Sequence, residues 1–215
     1  MTIVVSAEPA ERSGDLEAAA VGDIEVPAPS AWWVLVGGVI GLLGSLALTV
    51  EKVRILLDPH YVPPCNINPV VSCGSVMMTP QASLLGFPNP LVGIAGFAVV
   101  VVTGVLAVTK VSLPQWYWTG LTFGLLAGAG FVHWLIFQSL YRIGALCPYC
   151  MVVWAVTITL LTVAASIAFR PVLQRRESTV LRLTFQWRWS IVTLWFTAVL
   201  LMIMVRFWNY WSTLV

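Results

Sequence analysis

The chain has 215 residues, 59% of them hydrophobic and 9% charged, with a mean hydropathy of +0.91. Soluble domains carry about 25% charged residues, so the composition excludes a water-soluble globule. The formal net charge of +2 is too small for a nucleic-acid binder, and the length allows one helix bundle with tails rather than two ordinary domains.

Residues 1–30 are a different material from the rest. Glu8, Glu11, Asp15, Glu17, Asp23 and Glu25 stand there against a single Arg12, among many Ala and three Pro. That composition cannot build a core and predicts a disordered acidic tail. It lacks the basic start and immediate apolar run of a cleaved signal peptide, so the first helix is expected to act as an uncleaved anchor. Five uncharged apolar runs follow, at 31–50, 90–109, 115–137, 148–169 and 189–205. About 20 apolar residues cross a bilayer as a helix, and the runs are continuous rather than alternating, which excludes a barrel. Five transmembrane helices are expected. The eleven Trp suit aromatic belts at the membrane boundaries. Gly37, Gly38, Gly41 and Gly44, and Gly124, Gly128 and Gly130, either let helix backbones approach closely or reflect the ordinary abundance of Gly in such helices.

Loop charges set an expected orientation. The 170–188 segment holds Arg170, Arg175, Arg176, Arg182 and Arg188, which places it in the cytoplasm. Alternation then puts the amino terminus and the Lys110 loop inside. The long 51–88 loop, the short Arg142 loop and the carboxyl terminus after residue 205 fall outside, and only Lys52 and Arg54 argue the other way. All four cysteines therefore lie on the oxidising side of a cell membrane.

Those cysteines form two pairs, Cys65 with Cys73 and Cys147 with Cys150. Two structural disulfides are one reading, and a four-cysteine zinc site is another, although C-x7-C is wide for a knuckle; no metal is expected. CPYC at 147–150 favours redox activity. With Cys147 capping the fourth helix, Pro148 takes the first helical position, and the free N–H groups of the first turn favour a thiolate at Cys147. Arg142 could add to this. Cys147 is expected to face the aqueous loop, and Cys150, one turn deeper, to meet a lipid-soluble molecule. A pair reaching water and a pair reaching lipid form a relay by thiol–disulfide exchange, with a membrane quinone as acceptor. A flavin fits less well than a quinone, for want of a Gly-rich phosphate-binding fingerprint in a strand–helix setting. His133, alone in the third helix, reads as interfacial packing or a backbone hydrogen bond more than as a functional group, and Arg206 as snorkelling to the headgroups.

The order of features is a first helix, a loop with C-x7-C, CGSVMMTPQ, FPNPLVGI opening the second helix, and C-x-x-C opening the fourth. Over about residues 31–169 it resembles the vitamin K epoxide reductase family, in its bacterial branch. Another type of quinone-linked thiol oxidase also packs four helices with two cysteine pairs, but there the C-x-x-C pair comes first. The resemblance implies an all-α integral membrane protein: a four-helix transmembrane bundle around a quinone site, roofed by the 51–88 loop and its short half-helix, with a fifth transmembrane helix beyond it. It implies that Cys150 lies next to the quinone, that Cys147 exchanges with Cys73, and that Cys65 pairs with Cys73 and meets the outside partner. Asn89 matches an asparagine that hydrogen-bonds a quinone oxygen, although its place before Pro90 also reads as a cap of the second helix, and Thr79 falls near a Ser/Thr position of the half-helix. Trp154 stands where animal members have a tyrosine. The implied acceptor is menaquinone or ubiquinone. Many bacterial members carry a thioredoxin-like domain after the fifth helix; this chain stops at Val215, so the expected partner is a separate extracytoplasmic thioredoxin-fold protein. Two other readings remain open: reduction of a quinone or quinone epoxide as the purpose, and a non-enzymatic membrane protein stapled by two disulfides.

Overall fold

Among the described residues, five helices are long and apolar enough to cross a membrane. Their uncharged runs leave little alternative, because a chain in hydrocarbon must satisfy its backbone internally. The computed structural model describes residues 23–58, 60–84, 86–171, 183 and 185–213. Among them are α1 (Ala28–Leu57), the five-residue α2 (Cys73–Met77), α3 (Pro90–Val108), α4 (Gln115–Phe137), α5 (Pro148–Ala168), α6 (Arg188–Arg206) and the short α7 (Trp208–Trp211). A 3-10 turn spans Pro80–Ser83, and a π-helical stretch, Gln138–Ile143, continues α4. Hydroxyls within the spans donate to the carbonyl four residues back, as Thr103 does to Val99, Thr122 to Trp118 and Thr157 to Val153. These hydroxyls are thereby satisfied within their own helix.

The helix α1 is central: α3 packs along one side of it and α5 along the other, with α4 beyond α5. Close approach is real on α1 and α3. A Cβ at Gly41 would lie 2.3 Å from the Phe97 ring, and one at Gly104 would lie 2.5 Å from Leu35 Cα. Gly124 and Gly130 of α4 are different, for among the described residues nothing stands within 4 Å of where a Cβ would go. The seam between α3 and α4 is loose by comparison. Near the end where these two helices are joined, Thr103 Oγ1 and Tyr117 OH are 2.6 Å apart across it. Lipid is the evident solvent for side chains such as Leu43, Val102, Leu126 and Leu194, all more than half exposed.

Several boundaries differ from the sequence expectation. Residues 1–22 of the expected tail lie outside the described residues, but 23–30 are built into the fold. β1 (Asp23–Ile24) pairs antiparallel with β2 (Leu113–Pro114), and Ile24 and Val26 are buried in the cluster that holds Trp118, Ile167 and Ala168. Alternate apolar residues supply the burial that the acidic residues before them cannot. Helix α1 runs seven residues past Val50, because its charges find partners: Tyr61 OH donates to Glu51, Arg54 bonds Glu51 and Tyr61, and Lys52 Nζ donates to the Met77 carbonyl. At 30 residues it is about 45 Å long and projects beyond the apolar core. The helix stops at Asp58, whose extended backbone is what a residue before proline adopts. The Arg142 loop is not an open loop either; it is the π-helical stretch, ended by Gly144 at φ 71, a left-handed position that glycine takes without strain. Most of the basic 170–188 segment lies outside the described residues.

Candidate active site

Three short segments meet at the end of the bundle where α5 begins. Residues 70–72 lie beside 145–147 in a parallel bridge, with Leu146 N donating to Val70 O (2.7 Å) and Ser72 N to Leu146 O (2.9 Å). This pairing lays the residue before Cys73 against the residue before Cys147. Asn68 makes the preceding turn, its Oδ1 accepting from the Val70 and Val71 N–H groups. Ser72 then caps α2, accepting from Ser75 N, while Asn66 Oδ1 accepts from Gly74 N and Ser72 Oγ. A five-residue helix has no stability of its own, so these ties hold its first residue, Cys73, in place.

All four expected cysteines come together there. Cys65 and Cys73 are joined in a disulfide with Cα atoms 5.6 Å apart, and Cys147 and Cys150 are free thiols. Cys147 Sγ lies 3.3 Å from Cys73 Sγ, across 74 residues of sequence. Leu48, Met77 and Val153 enclose the group. Cys147 is the cap residue of α5, with Pro148 in the first turn, but it is fully buried beneath α2 rather than facing an aqueous loop. Its pKa is held below the ordinary value by a hydrogen bond from the Cys150 thiol, with the N–H groups of Cys150 and Tyr149 adding to this against the opposing effect of burial. The Arg142 side chain, expected to contribute, is exposed and is not among the causes. Of the two disulfide sulfurs, only Cys65 belongs to a residue with any exposure, 7% against 0% for Cys73.

The other three expected residues sit around this group in different ways. Trp154, one turn into α5 from Cys150, is buried in a cluster with Val132, Ile136, Ile203 and Phe207, against which Cys150 also packs. Thr79 donates its hydroxyl to Val76 O (2.7 Å). Asn89 Oδ1 accepts from Leu84 N (3.0 Å), and its Nδ2 donates to Gln81 O (2.7 Å), bracing the turn between α2 and α3. Asn89 makes no side-chain cap to α3 and has helical backbone angles, whereas a capping residue is extended. Leu91 and Val92 bond Pro88 O and Asn89 O, so no first-turn N–H there requires the amide.

Two features fall outside the sequence reading. His133 Nδ1 lies 2.7 Å from Ala129 O and must donate there, which leaves Nε2 to accept from Trp195 Nε1 at 2.8 Å; the histidine ties α4 to α6 in addition to the backbone bond expected. Arg206 donates from Nε to Leu140 O (2.9 Å), fastening the end of α6 to the π-helical turn, where free snorkelling was expected. The π-helix leaves that carbonyl available, a detail no hydropathy pattern carries. Ser72 and Asn66 had a sequence signal, a serine cap before a short apolar turn and turn-forming asparagines.

The chemistry open to this arrangement is thiol–disulfide exchange: a thiol of lowered pKa lies against a disulfide, with a second thiol one turn deeper. A model of the vitamin K epoxide reductase family matches residues 32–165 of the chain, covering α1 through most of α5. No curated protein matches it.

Proposed function

The chain belongs to the vitamin K epoxide reductase family and is a membrane redox enzyme; from that premise we propose that it oxidises a thioredoxin-fold thiol protein outside the cytoplasm and passes the electrons to a membrane quinone. The observation that carries this is the 3.3 Å approach of the Cys147 thiol to the Cys65–Cys73 disulfide. Two structural staples would need no free thiol beside a disulfide.

In the proposed cycle a partner thiolate attacks Cys65, the disulfide sulfur with exposure, and Cys73 leaves as a thiolate. Cys73 then attacks Cys147 of an oxidised Cys147–Cys150 pair, and Cys150 leaves. The partner's second thiolate resolves its bond to Cys65 and forms the partner disulfide. Cys65 next displaces Cys147 from Cys73, which restores the outer disulfide and the inner dithiol. The quinone supplies a two-electron, two-proton acceptor that returns the inner dithiol to a disulfide, so the sum is two thiols and a quinone giving a disulfide and a quinol. The residues packed with Cys150 suit such a molecule, since Met151, Val153 and Trp154 are apolar; Asn89, in the turn before α3, keeps a second N–H beyond the one given to Gln81. The loose α3–α4 seam offers a route from the lipid. The orientation rests on Arg170 and Arg188, which flank the ends of α5 and α6 remote from the cysteines, and on the other arginines between them.

Purified protein with a dithiol donor should reduce a soluble quinone analogue, and Cys150→Ala should abolish this. Cys65→Ala should stop oxidation of a protein partner yet keep some activity with a small dithiol that reaches the inner pair directly. Quinone reduction by Cys150→Ala at the normal rate would overturn the assignment.

A further inference from the structure

Lys52 is an ammonium-bearing side chain with only 8% exposure, and among the described residues no carboxylate pairs with it; the one acidic neighbour in sequence, Glu51, is engaged by Tyr61 and Arg54. Its partner is the carbonyl of Met77, the last residue of α2. The first residue of that same single turn is Cys73. Lys52 also stands one helical turn beyond Leu48, which packs in the cluster of Cys65, Cys73, Cys147 and Met77. Burying an ammonium against one carbonyl is costly, and the site gains from it a tie between the long α1 and the far end of the turn that carries the exchanging sulfur.

We propose that Lys52 is a positioning residue for the exchange, holding α2 so that Cys73 stays against Cys147 at the step when the Cys65–Cys73 disulfide is open. This rests on the relay reading above. In the closed state the disulfide itself fastens α2 to the loop at Cys65. Once a partner thiolate has bonded to Cys65 and released Cys73, that covalent tie is gone. Asn66 and Ser72 at one end of the turn and Lys52 at the other then keep the Cys73 thiolate within reach of Cys147. In that step the Cys73 thiolate forms the Cys73–Cys147 bond, the Cys147–Cys150 bond breaks, and Cys150 leaves with the electron pair. The ammonium also binds the negative end of the short helix, where a cation is stabilising.

The test uses the full chain carrying Cys65→Ser, in which Cys73 has lost its loop partner and, glutathione apart, can pair only with the relay thiols. After equilibration in a glutathione buffer of fixed ratio, acid quench and peptide mapping give the ratio of Cys73–Cys147 to Cys147–Cys150 disulfide, which reports how often Cys73 is at Cys147. Adding Lys52→Met should lower that ratio about tenfold, the scale of one charge-assisted hydrogen bond. Lys52→Arg should restore it to within about twofold, since a cationic donor is kept. Should Lys52→Met not fold, Lys52→Gln, which keeps a donor without the charge, makes the same comparison and should give a lowered ratio. A ratio indifferent to loss of the ammonium, or one that Arg does not restore, overturns the positioning role. Absence of any Cys73–Cys147 disulfide with Lys52 intact would instead overturn the relay itself.

Discussion

Asn89→Ala removes two hydrogen bonds from one turn. The amide accepts from Leu84 N at 3.0 Å and donates to Gln81 O at 2.7 Å, and the residue is only 8% exposed. At about 1 kcal/mol for each bond, the loss is about 2 kcal/mol, roughly a 30-fold rise in local opening. Hydrogen exchange followed at the Leu84 amide in detergent-solubilised protein should show that acceleration, while amides in the middle of α3 keep their protection. Asn89→Asp separates this role from a helix cap. A carboxylate still accepts from Leu84 but has no proton for Gln81 and places an acceptor against that carbonyl, so the turn should lose about 1 kcal/mol or more. A cap would be served about equally well by Asp. An Asn89→Asp protein whose Leu84 exchange matches the wild type would refute the bracing role. If the second Asn89 N–H also meets a quinone oxygen, both variants should raise the quinone KM as well.

Two further outcomes follow from the site and from the loop charges. Alkylation of Cys147 should accelerate with a midpoint lower than that of an ordinary thiol, because the Cys150 thiol donates to it. Cys150→Ala removes that donor and leaves the burial, so the midpoint should move to higher pH; an unchanged or lower midpoint contradicts the stated cause. A thiol label that cannot cross the membrane should reach a cysteine introduced at Ile67, 71% exposed, from outside the cell, and should fail to reach one at Gln174. The reverse pattern would put the relay in the reducing cytoplasm.

The sequence by itself determined the spanning helices and one local end of the site. Hydrocarbon leaves an uncharged run of about 20 residues almost no choice but a helix, so α3 starts at Pro90 and α5 at Pro148, as their prolines and apolar runs require. The cap position of Cys147 followed from the same local rule, the missing N–H of Pro148. What the tertiary structure decided depends on pairs of segments that the chain does not join locally. Hydropathy assigns each residue a preference for lipid or water, and on that scale Glu51 and Lys52 end a helix; in the fold they lie buried, because Tyr61 and the end of α2 arrive to meet them. Ile24 and Val26 belong to an acidic tail by composition and to the core by position, because β2 stands opposite them. Asn89 reads as a cap from its place before Pro90, and the backbone at 88–92 makes that cap unnecessary. The distance that matters most, Cys147 to Cys73, is set by the bridge between Val71 and Leu146. Two ordinary apolar residues make it, and nothing in either one's own chemistry names the other as its partner.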